Sequence, residues 1–135
     1  MIKKIAFATV WVLDQDRAKD FYVNTLGFEL RSDERIGGFR WLTVAPAGQD
    51  VSFVLMPIAK TPFMDDATVA TLRGMVEKGV LGPGGLWADN VQATYDELSK
   101  KGVRFAHPPQ ERPYGIETIL LDDSGNHFSL VQPRK

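Results

Sequence analysis

Two halves of this chain repeat one another at a constant offset. The matched pairs lie 75 positions apart and are Asp14 and Asp89, Ala18 and Ala93, Gly27 and Gly102, Phe28 and Val103, Phe53 and Phe128, and Leu55 and Leu130. Chance pairing of common residues is the alternative, but glycines placed to end helices match at the same offset as the closing strands. Two copies are too few for a solenoid, so the repeat predicts two half-modules that share one sheet.

The first half shows the pattern that defines the module. Residues 5–13 are rich in β-branched and aromatic side chains and predict a strand. Asp14 or Asp16 is placed to cap a helix that has one apolar face and ends at Gly27. Three further strands are predicted at residues 28–31, 39–45 and 51–56.

The second half is predicted to follow the same order after a connector. The connector contains a helix over residues 64–78, which begins near Asp65 or Asp66 and is ended by Gly79. The later elements are predicted as a glycine-rich strand at 81–88, a helix at 91–101, and strands at 103–106, 116–121 and 127–132, with HPPQERPYG as a loop.

These elements predict an α+β protein of two βαβββ modules that form a curved mixed sheet around a cleft, with the helices on the outer face. The chain is expected to be a single domain over residues 1–135. Within it, the predicted units are a first module at 1–57, a connector with its helix at 58–80, and a second module at 81–135.

Charge and composition exclude several kinds of partner. A net charge of -1 without a basic run argues against nucleic-acid binding through phosphate neutralisation. No stretch approaches the roughly 20 apolar residues of a membrane span. The apolar run after the two N-terminal lysines ends at Asp14 without a signal-peptide cleavage site. With no cysteine there is no disulfide framework and no thiolate metal site, and a cytoplasmic location is expected.

Alternation along the strands predicts which side chains face the cleft. Small or branched residues at even positions of the first strand suit packing beneath a helix, which leaves Phe7, Thr9 and Trp11 for the cleft. The same reasoning gives the cleft Ser52, Val54 and Met56; Pro83, Gly85 and Trp87; Glu117, Ile119 and Leu121; and His127, Ser129 and Val131. The aromatic residues predicted to line an apolar pocket, suited to planar or hydrophobic small molecules, are Phe7, Trp11, Trp41 and Trp87, with Phe63 and Tyr114 from loops.

Three stretches resemble the vicinal oxygen chelate superfamily, which includes glyoxalase I, extradiol dioxygenases, fosfomycin-modifying enzymes and the bleomycin-resistance binding proteins. They are VWVLDQDRAKDFYVNTLGFEL, WADNVQATYDELSKKGVRF and DDSGNHFSLVQP, the last being similar to the family's DPDGN strand ending. The resemblance covers nearly the whole chain and implies paired βαβββ modules. In members of this family two modules often pair across chains, so a homodimer is expected.

The resemblance also implies where a metal would be held. Enzymes of the family bind one divalent ion through four strand positions, usually His or Glu and sometimes Gln. Those positions correspond here to Phe7, Val54, Pro83 (or Gly82) and Ser129. None of them supplies the imidazole or carboxylate that a divalent ion needs, so neither a metal nor another cofactor is expected.

Catalysis without a metal would need other groups. His127 and Glu117, on neighbouring predicted strands, are the candidates for an acid–base pair. The alternatives are a solvated His127 at the strand rim and an exposed carboxylate at Glu117, while His107 lies in a proline-containing loop. In an apolar cleft Glu117 would have a raised pKa or an arginine partner, for which Arg40 is the candidate.

The sequence favours metal-free binding of a small apolar or planar ligand, as the resemblance to drug-sequestering proteins implies, over catalysis. The predicted ligand-binding residues are Phe7, Thr9, Trp11, Arg40, Trp41, Val54, Met56, Trp87, Glu117 and Ser129. Arg40, Glu117 and Thr9 would orient the ligand. Two alternatives stay open. One is a lyase, isomerase or dioxygenase with relocated metal ligands or the His127 and Glu117 pair. The other is a non-catalytic interaction protein whose cleft is filled by its own side chains.

Overall fold

The structure of the protein, a computed structural model, describes residues 1–134. Its helices are α1 (Gln15–Asp20), which continues as a π-helical turn (Phe21–Thr25), α2 (Asp66–Glu77) and α3 (Val91–Lys100). Its strands are β1 (Phe7–Val12), β2 (Glu29–Ile36), β3 (Phe39–Ala45), β4 (Ser52–Pro57), β5 (Gly84–Trp87), β6 (Arg104–Phe105), β7 (Gln110–Arg112), β8 (Gly115–Leu121) and β9 (His127–Pro133). None of the helices within residues 1–134 has the length and apolar character needed to span a membrane.

The strand order is the same in the two halves. The first sheet has the order β1-β4-β3-β2, and the second has the order β5-β9-β8-β6, with β7 also paired to β8. In each sheet the first and last strands of the module run parallel, and the remaining pairs are antiparallel. This arrangement confirms the predicted α+β class. The strands form two sheets rather than one shared sheet, because β1 and β5 are both edge strands and do not pair with each other.

One buried core joins the helical faces of the two sheets. Val10 and Leu55 of the first sheet and Leu120 and Phe128 of the second are at most 1% exposed and belong to the same hydrophobic cluster. Phe53 and Phe128, which the sequence repeat had matched, pack together with ring centroids 5.6 Å apart. Burial of apolar surface contributes about 25 cal/mol per Å². The core therefore holds the two modules together and leaves the opposite face of each sheet open.

The first helix carries one residue more than its counterpart. Asp14 caps α1 and Asn90 caps α3, whereas Gly27 and Gly102, both with positive φ, follow the helix ends. The caps are therefore 76 positions apart (90 − 14) and the glycines 75 (102 − 27). The additional residue is accommodated in the π-helical turn after α1, where a hydrogen bond spans five residues instead of four. The predicted match of Asp14 with Asp89 is thus wrong by one position.

Two local predictions differ from the structure. The segment 107–115, predicted as a loop, contains the strand β7, which pairs with β8. Prolines on both sides of β7 lack an N–H donor and keep the strand short. The strand predicted over residues 81–88 is reduced to β5, which begins only after Pro83, for the same reason.

A buried carboxylate in the β8–β9 turn joins the two halves. Asp122, which is 1% exposed, accepts the backbone N–H groups of Ser124, Gly125 and Asn126 through Oδ1, each over 2.9 Å. Its Oδ2 accepts the hydroxyl of Tyr22 at 2.7 Å and the side-chain amide of Asn126 at 2.9 Å. Because Tyr22 belongs to the first module, Asp122 links the modules as well as shaping its own turn.

Two more hydrogen bonds cross the same boundary. The side-chain amide of Asn126 donates to the carbonyl oxygen of Trp11 over 2.8 Å, and the N–H of Leu13 donates to Ser124 Oγ over 2.9 Å. Burial, followed by the charge of Asp122, raises the pKa of Tyr22 well above its ordinary value. The Tyr22 hydroxyl therefore keeps its proton and remains a donor to Asp122.

Asp123, the next residue in this turn, is in a less favourable environment. Both of its carboxylate oxygens are inaccessible to solvent and have no hydrogen-bond partner within the described residues. Burial, with a smaller contribution from the charge of Asp122, raises the pKa of Asp123 from 3.8 to about 6. The charged form of Asp123 is therefore disfavoured in the folded protein.

We expect Tyr22→Phe to lower the free energy of unfolding by about 1–3 kcal/mol, because the buried Asp122 carboxylate loses a donor. Urea unfolding at pH 7 measures the change. Tyr95→Phe is the matched control, since the half-buried Tyr95 ring packs on Phe105 and its hydroxyl has no hydrogen bond within residues 1–134. Equal stability of the two variants would contradict the role assigned to the Tyr22 hydroxyl.

We expect Asp123→Asn to stabilise the protein increasingly as pH rises. The folded pKa of Asp123 lies above the unfolded value, so its contribution to stability is full below about pH 4 and is lost as pH passes through about 6. Urea unfolding between pH 4 and pH 8 should show a growing advantage of the variant that levels off above pH 7. Asp50→Asn, at an exposed side chain, is the control, and a pH-independent difference at position 123 would contradict the assignment.

Candidate ligand-binding groove

A groove of about 990 Å³ lies between the first sheet and the connector. Its floor includes Trp11 and Met56, which lie opposite each other on the paired strands β1 and β4. One wall is the tip of the β2–β3 hairpin, around Gly37 and Gly38. The other wall is the segment 58–82, here called the strap, which contains α2. The apolar groups that the walls contribute include Phe39, Phe63, Met64 and Leu72.

The size and chemistry of the groove suit a small organic molecule. Ligand sites typically enclose about 300–1,000 Å³ and combine apolar walls with a few polar groups. The polar groups in this groove include the Gln15 amide, which donates to the Leu55 carbonyl oxygen over 2.9 Å and to the Arg40 carbonyl oxygen over 3.2 Å. These bonds tie the first turn of α1 to β3 and β4. They fix one end of the groove to the rigid part of the fold.

The guanidinium of Arg40 is already engaged by carboxylates. It donates to both oxygens of Asp33, over 2.8 Å and 2.9 Å, and to Asp16 over 2.6 Å, and its side chain is 10% exposed. Arg40, and then Lys19, hold the pKa of Asp33 well below its ordinary range, so the network stays ionised. The predicted pairing of Arg40 with Glu117 is therefore wrong. Arg40 lines the groove, but its charge is neutralised within the first module.

A row of aromatic rings continues from the groove across the same sheet face. Phe39 packs against Trp41 with ring centroids 6.5 Å apart, and Trp41 meets Phe7 edge to face at 5.3 Å. Val54 lies on β4, between the strands that carry Phe7 and Trp41, and is 1% exposed. Thr9 pairs with Val54 in the register of β1 and β4. This part of the face is packed rather than hollow.

The other predicted ligand residues lie on the second sheet and do not line the groove. Ser129 Oγ donates to Glu117 Oε2 over 2.7 Å, and Arg112 Nε lies 3.6 Å from the other carboxylate oxygen. The hydrogen bond from Ser129 lowers the pKa of Glu117. The arginine that lies beside this carboxylate is Arg112 and not Arg40. Trp87, on the edge strand β5, is 82% exposed. The second sheet thus presents its own open face, with an exposed indole and an ionised carboxylate.

The predicted acid–base pair is not formed. In the β8–β9 register Glu117 is opposite Val131, while His127 is opposite Leu121, four positions away along β8. His127 Nδ1 contacts the Gly79 carbonyl oxygen at 2.9 Å instead. His127 and Glu117 are therefore too far apart to exchange a proton.

The positions that hold a metal in related enzymes do not fit a divalent ion here. Phe7 and Val54 present only carbon, and Ser129 directs its hydroxyl to Glu117. The fourth position, Pro83 or Gly82, also has no side-chain donor. Within residues 1–134 no three His, Asp or Glu side chains converge on a point that could hold a metal ion. The alternative of relocated metal ligands thus finds no support among the described residues.

The structure divides the ten predicted ligand residues among three places. Trp11, Arg40 and Met56 line the groove. Phe7, Thr9, Trp41 and Val54 form the neighbouring face of the first sheet, and Trp87, Glu117 and Ser129 lie on the second sheet. Sequence reasoning named Phe63 and Arg40 but not the other groove residues of the strap and hairpin, nor Gln15 and Pro57. The available signals were the Gly37-Gly38 turn and the position of the connector immediately after β4.

Comparison with known proteins gives the same fold and a family. The profile of the Glyoxalase/Bleomycin resistance protein/Dioxygenase superfamily matches residues 4–130. The crystal structure of UcmS2 is similar with a TM-score of 0.91 at 45% identity, over 97% of this chain and 98% of that chain. TnmS3, an antibiotic binding protein from Streptomyces sp. CB03234, is similar with a TM-score of 0.78 at 35% identity, over 98% of each chain.

A protein of Shewanella frigidimarina (strain NCIMB 400) is 32% identical over 134 residues, which cover 98% of this chain and 95% of the relative. These similarities extend through both modules and the strap that joins them. They confirm the resemblance inferred from the helix, turn and strand motifs. The chain therefore belongs to the glyoxalase/bleomycin resistance protein/dioxygenase superfamily.

Proposed function

We propose that this protein binds a small, largely apolar or planar organic molecule in the groove between the first sheet and the strap, without using a metal. The observation that carries the proposal is the lining itself. Trp11, Phe39 and Met56 line one groove, with Phe63 exposed at its rim, while the strand positions used for metal in related enzymes carry no competent donor. We propose that the protein acts in the cytoplasm, in keeping with the absence of cysteine.

The similarity to TnmS3 supports this class of function. TnmS3 is described as an antibiotic binding protein, and it aligns with this chain along nearly its full length at 35% identity. Sequestration of a small molecule needs a fitted apolar enclosure rather than a catalytic group. The lack of an assembled acid–base pair at His127 and Glu117 is consistent with binding rather than catalysis.

The rim of the groove suggests a preference among ligands. Arg35 and Lys60 are exposed at its edge, and neither has a carboxylate partner among the described residues. Arg40, by contrast, is neutralised by Asp33. We therefore propose that the ligand has an aromatic or aliphatic body and an acidic or electron-rich edge that faces Arg35 and Lys60.

We also propose that the protein is a homodimer. Each module leaves apolar groups open to solvent, with Phe7 45% exposed on the first sheet and Trp87 82% exposed on the second. A second copy related by a two-fold axis would place the second sheet of one protomer against the first sheet of its partner, twice and equivalently. Trp87 and Glu117 would then face the groove of the partner, where the sequence had predicted them to act.

For the ligand, we expect 1-anilinonaphthalene-8-sulfonate, a planar anionic probe, to bind the groove and alter tryptophan fluorescence. Met56→Ala should weaken binding about tenfold, because removing a buried Met side chain from a contact costs on the order of 1.5 kcal/mol. Met75→Ala is the matched control, since Met75 lies on α2 but does not line the groove. Fluorescence titration of the three proteins measures the dissociation constants.

Two results would contradict the proposed function. One is equal loss of probe affinity in the Met56 and Met75 variants, which would mean that the groove is not the binding place. The other is one Ni, Zn, Fe or Mn ion per chain in protein purified without chelators, together with loss of probe binding on EDTA treatment. A cationic probe such as 9-aminoacridine should bind more weakly than the anionic one if Arg35 and Lys60 set the preference.

For the assembly, we expect the protein to sediment as a dimer and Trp87→Glu to convert it to a monomer. A stable interface buries at least about 1,000 Å², and a carboxylate at its centre would be left without a partner. Leu30→Glu is the control. Leu30 is exposed on the edge strand β2 and lies opposite the buried Val44, so it is on the helical side of the first sheet and not on the proposed interface. Monomeric wild-type protein, or dissociation by the Leu30 variant alone, would contradict this interface.

A further inference from the structure

The strap forms one wall of the groove, and its helix α2 buries little of its surface against the rest of the protein. Of the residues in α2, only Val76 is fully buried. Val76 packs with Ile58 and Met64 in a small cluster that is separate from the main core. Trp11 and Leu72 pack against this cluster and also line the groove. The residues of this cluster from outside the strap are Trp11 and Leu13, so the strap packs on the end of β1 rather than on the main core.

One residue, His127, supplies the polar attachment of the strap. Its backbone N–H donates to the Leu81 carbonyl oxygen over 3.1 Å, and its side-chain Nδ1 lies 2.9 Å from the Gly79 carbonyl oxygen. Because a carbonyl oxygen can only accept, Nδ1 must carry the proton in this contact. Within residues 1–134, these are the hydrogen bonds between the strap and the rest of the chain.

Two glycines allow this attachment to be close. A Cβ atom at Gly82 would lie 2.5 Å from His127 Nε2, so the imidazole occupies the space that any side chain there would need. A Cβ atom at Gly125 would lie 2.5 Å from the carbonyl oxygen of Val76, near the C-terminal end of α2. The β8–β9 turn and the end of α2 thus fit together around His127, and a methyl group on either glycine would separate them.

We propose that His127 is a positioning residue that latches the strap over the groove, and that the groove opens when the end of α2 leaves His127. This inference rests on the proposed function, because it gives the groove its entrance. His127 belongs to the second sheet and is not among the residues that line the groove. It acts on the ligand through the strap, by controlling how often that wall moves away from Trp11.

The test uses three variants of the full chain and one control. His127→Ala removes the imidazole contact with Gly79 and keeps the backbone hydrogen bond to Leu81. Gly82→Ala displaces the imidazole without deleting it, at a position whose backbone tolerates alanine. His127→Asn retains an amide donor near the place of Nδ1 and should restore part of the attachment. His107→Ala is the matched control, since within residues 1–134 the His107 ring has one hydrogen-bond contact, with the carbonyl oxygen of the adjacent Pro108, and alanine keeps the backbone carbonyl that accepts from Thr118.

Hydrogen exchange without ligand reads the latch directly. We expect the α2 amides to exchange about threefold to tenfold faster in His127→Ala and Gly82→Ala, the effect of losing one hydrogen bond. The amides of β8 and α3 should keep their rates, and His127→Asn should lie between the wild type and His127→Ala. An unchanged α2 in both latch variants would overturn the proposal, and so would acceleration spread evenly over the chain.

Stopped-flow binding of 1-anilinonaphthalene-8-sulfonate separates this inference from the proposed function. Faster opening should raise both the association and the dissociation rate constants in the latch variants, with little change in their ratio. Met56→Ala should raise only the dissociation rate constant. Faster α2 exchange without any probe binding would support the latch and contradict the proposed function. Probe binding with unchanged rate constants in both latch variants would contradict the latch alone.

Discussion

The position of Asp122 in the β8–β9 turn determines how the two halves of the molecule meet. Its carboxylate accepts five hydrogen bonds, three from the backbone of its own turn and two from side chains. One donor is Tyr22, in the π-helical turn of the other module. A buried carboxylate is stable only when its oxygens are satisfied in this way. The β8–β9 turn of the second module and the π-helical turn of the first are therefore held in one fixed relation.

The same turn organises the groove at a distance. Asn126 binds the carbonyl oxygen of Trp11, whose side chain is part of the groove floor. Gly125 meets the end of α2, and His127 begins β9 directly after the turn. The groove floor and the strap are thus both positioned by one short segment of the second module. The first module supplies the floor and the hairpin wall, and contacts from the second module fix where the floor and the strap lie.

Local signals in the sequence predicted the fold because each of them acts over a few residues. Asp14 and Gly27 delimit a helix by satisfying backbone groups near it, and strand alternation separated Val10 and Leu55 from the open face. The site depended on contacts between distant segments. Nothing near Arg40 in the sequence indicates that Asp16 would join Asp33 in neutralising it. The far end of the strap is likewise held by a distant residue, His127 of the second module.

Strand register explains the remaining difference between prediction and structure, the missing pair of Glu117 and His127. The sequence indicated that Glu117 and His127 face the same side of adjacent strands, which the structure bears out, but their separation along the strands depends on register. Register is fixed by the β8–β9 turn. Alternation along a strand therefore predicts on which face of the sheet a side chain lies, but not which residue of the next strand lies beside it. Ser129, two residues beyond His127, is the group that reaches Glu117.

The π-helical turn in the first module changes how the two modules should be compared. Because it absorbs one residue, the halves are out of step by 76 positions before it and by 75 after it. Counted in this way, Phe7 in the first strand corresponds to Pro83 and not to Gly82. Phe7 and Gly82, the glycine that leaves room for the His127 imidazole, are consequently not at equivalent positions. The region at the start of the first strand therefore serves a different purpose in each module: Phe7 contributes an aromatic ring in the first, and Gly82 makes space for His127 in the second.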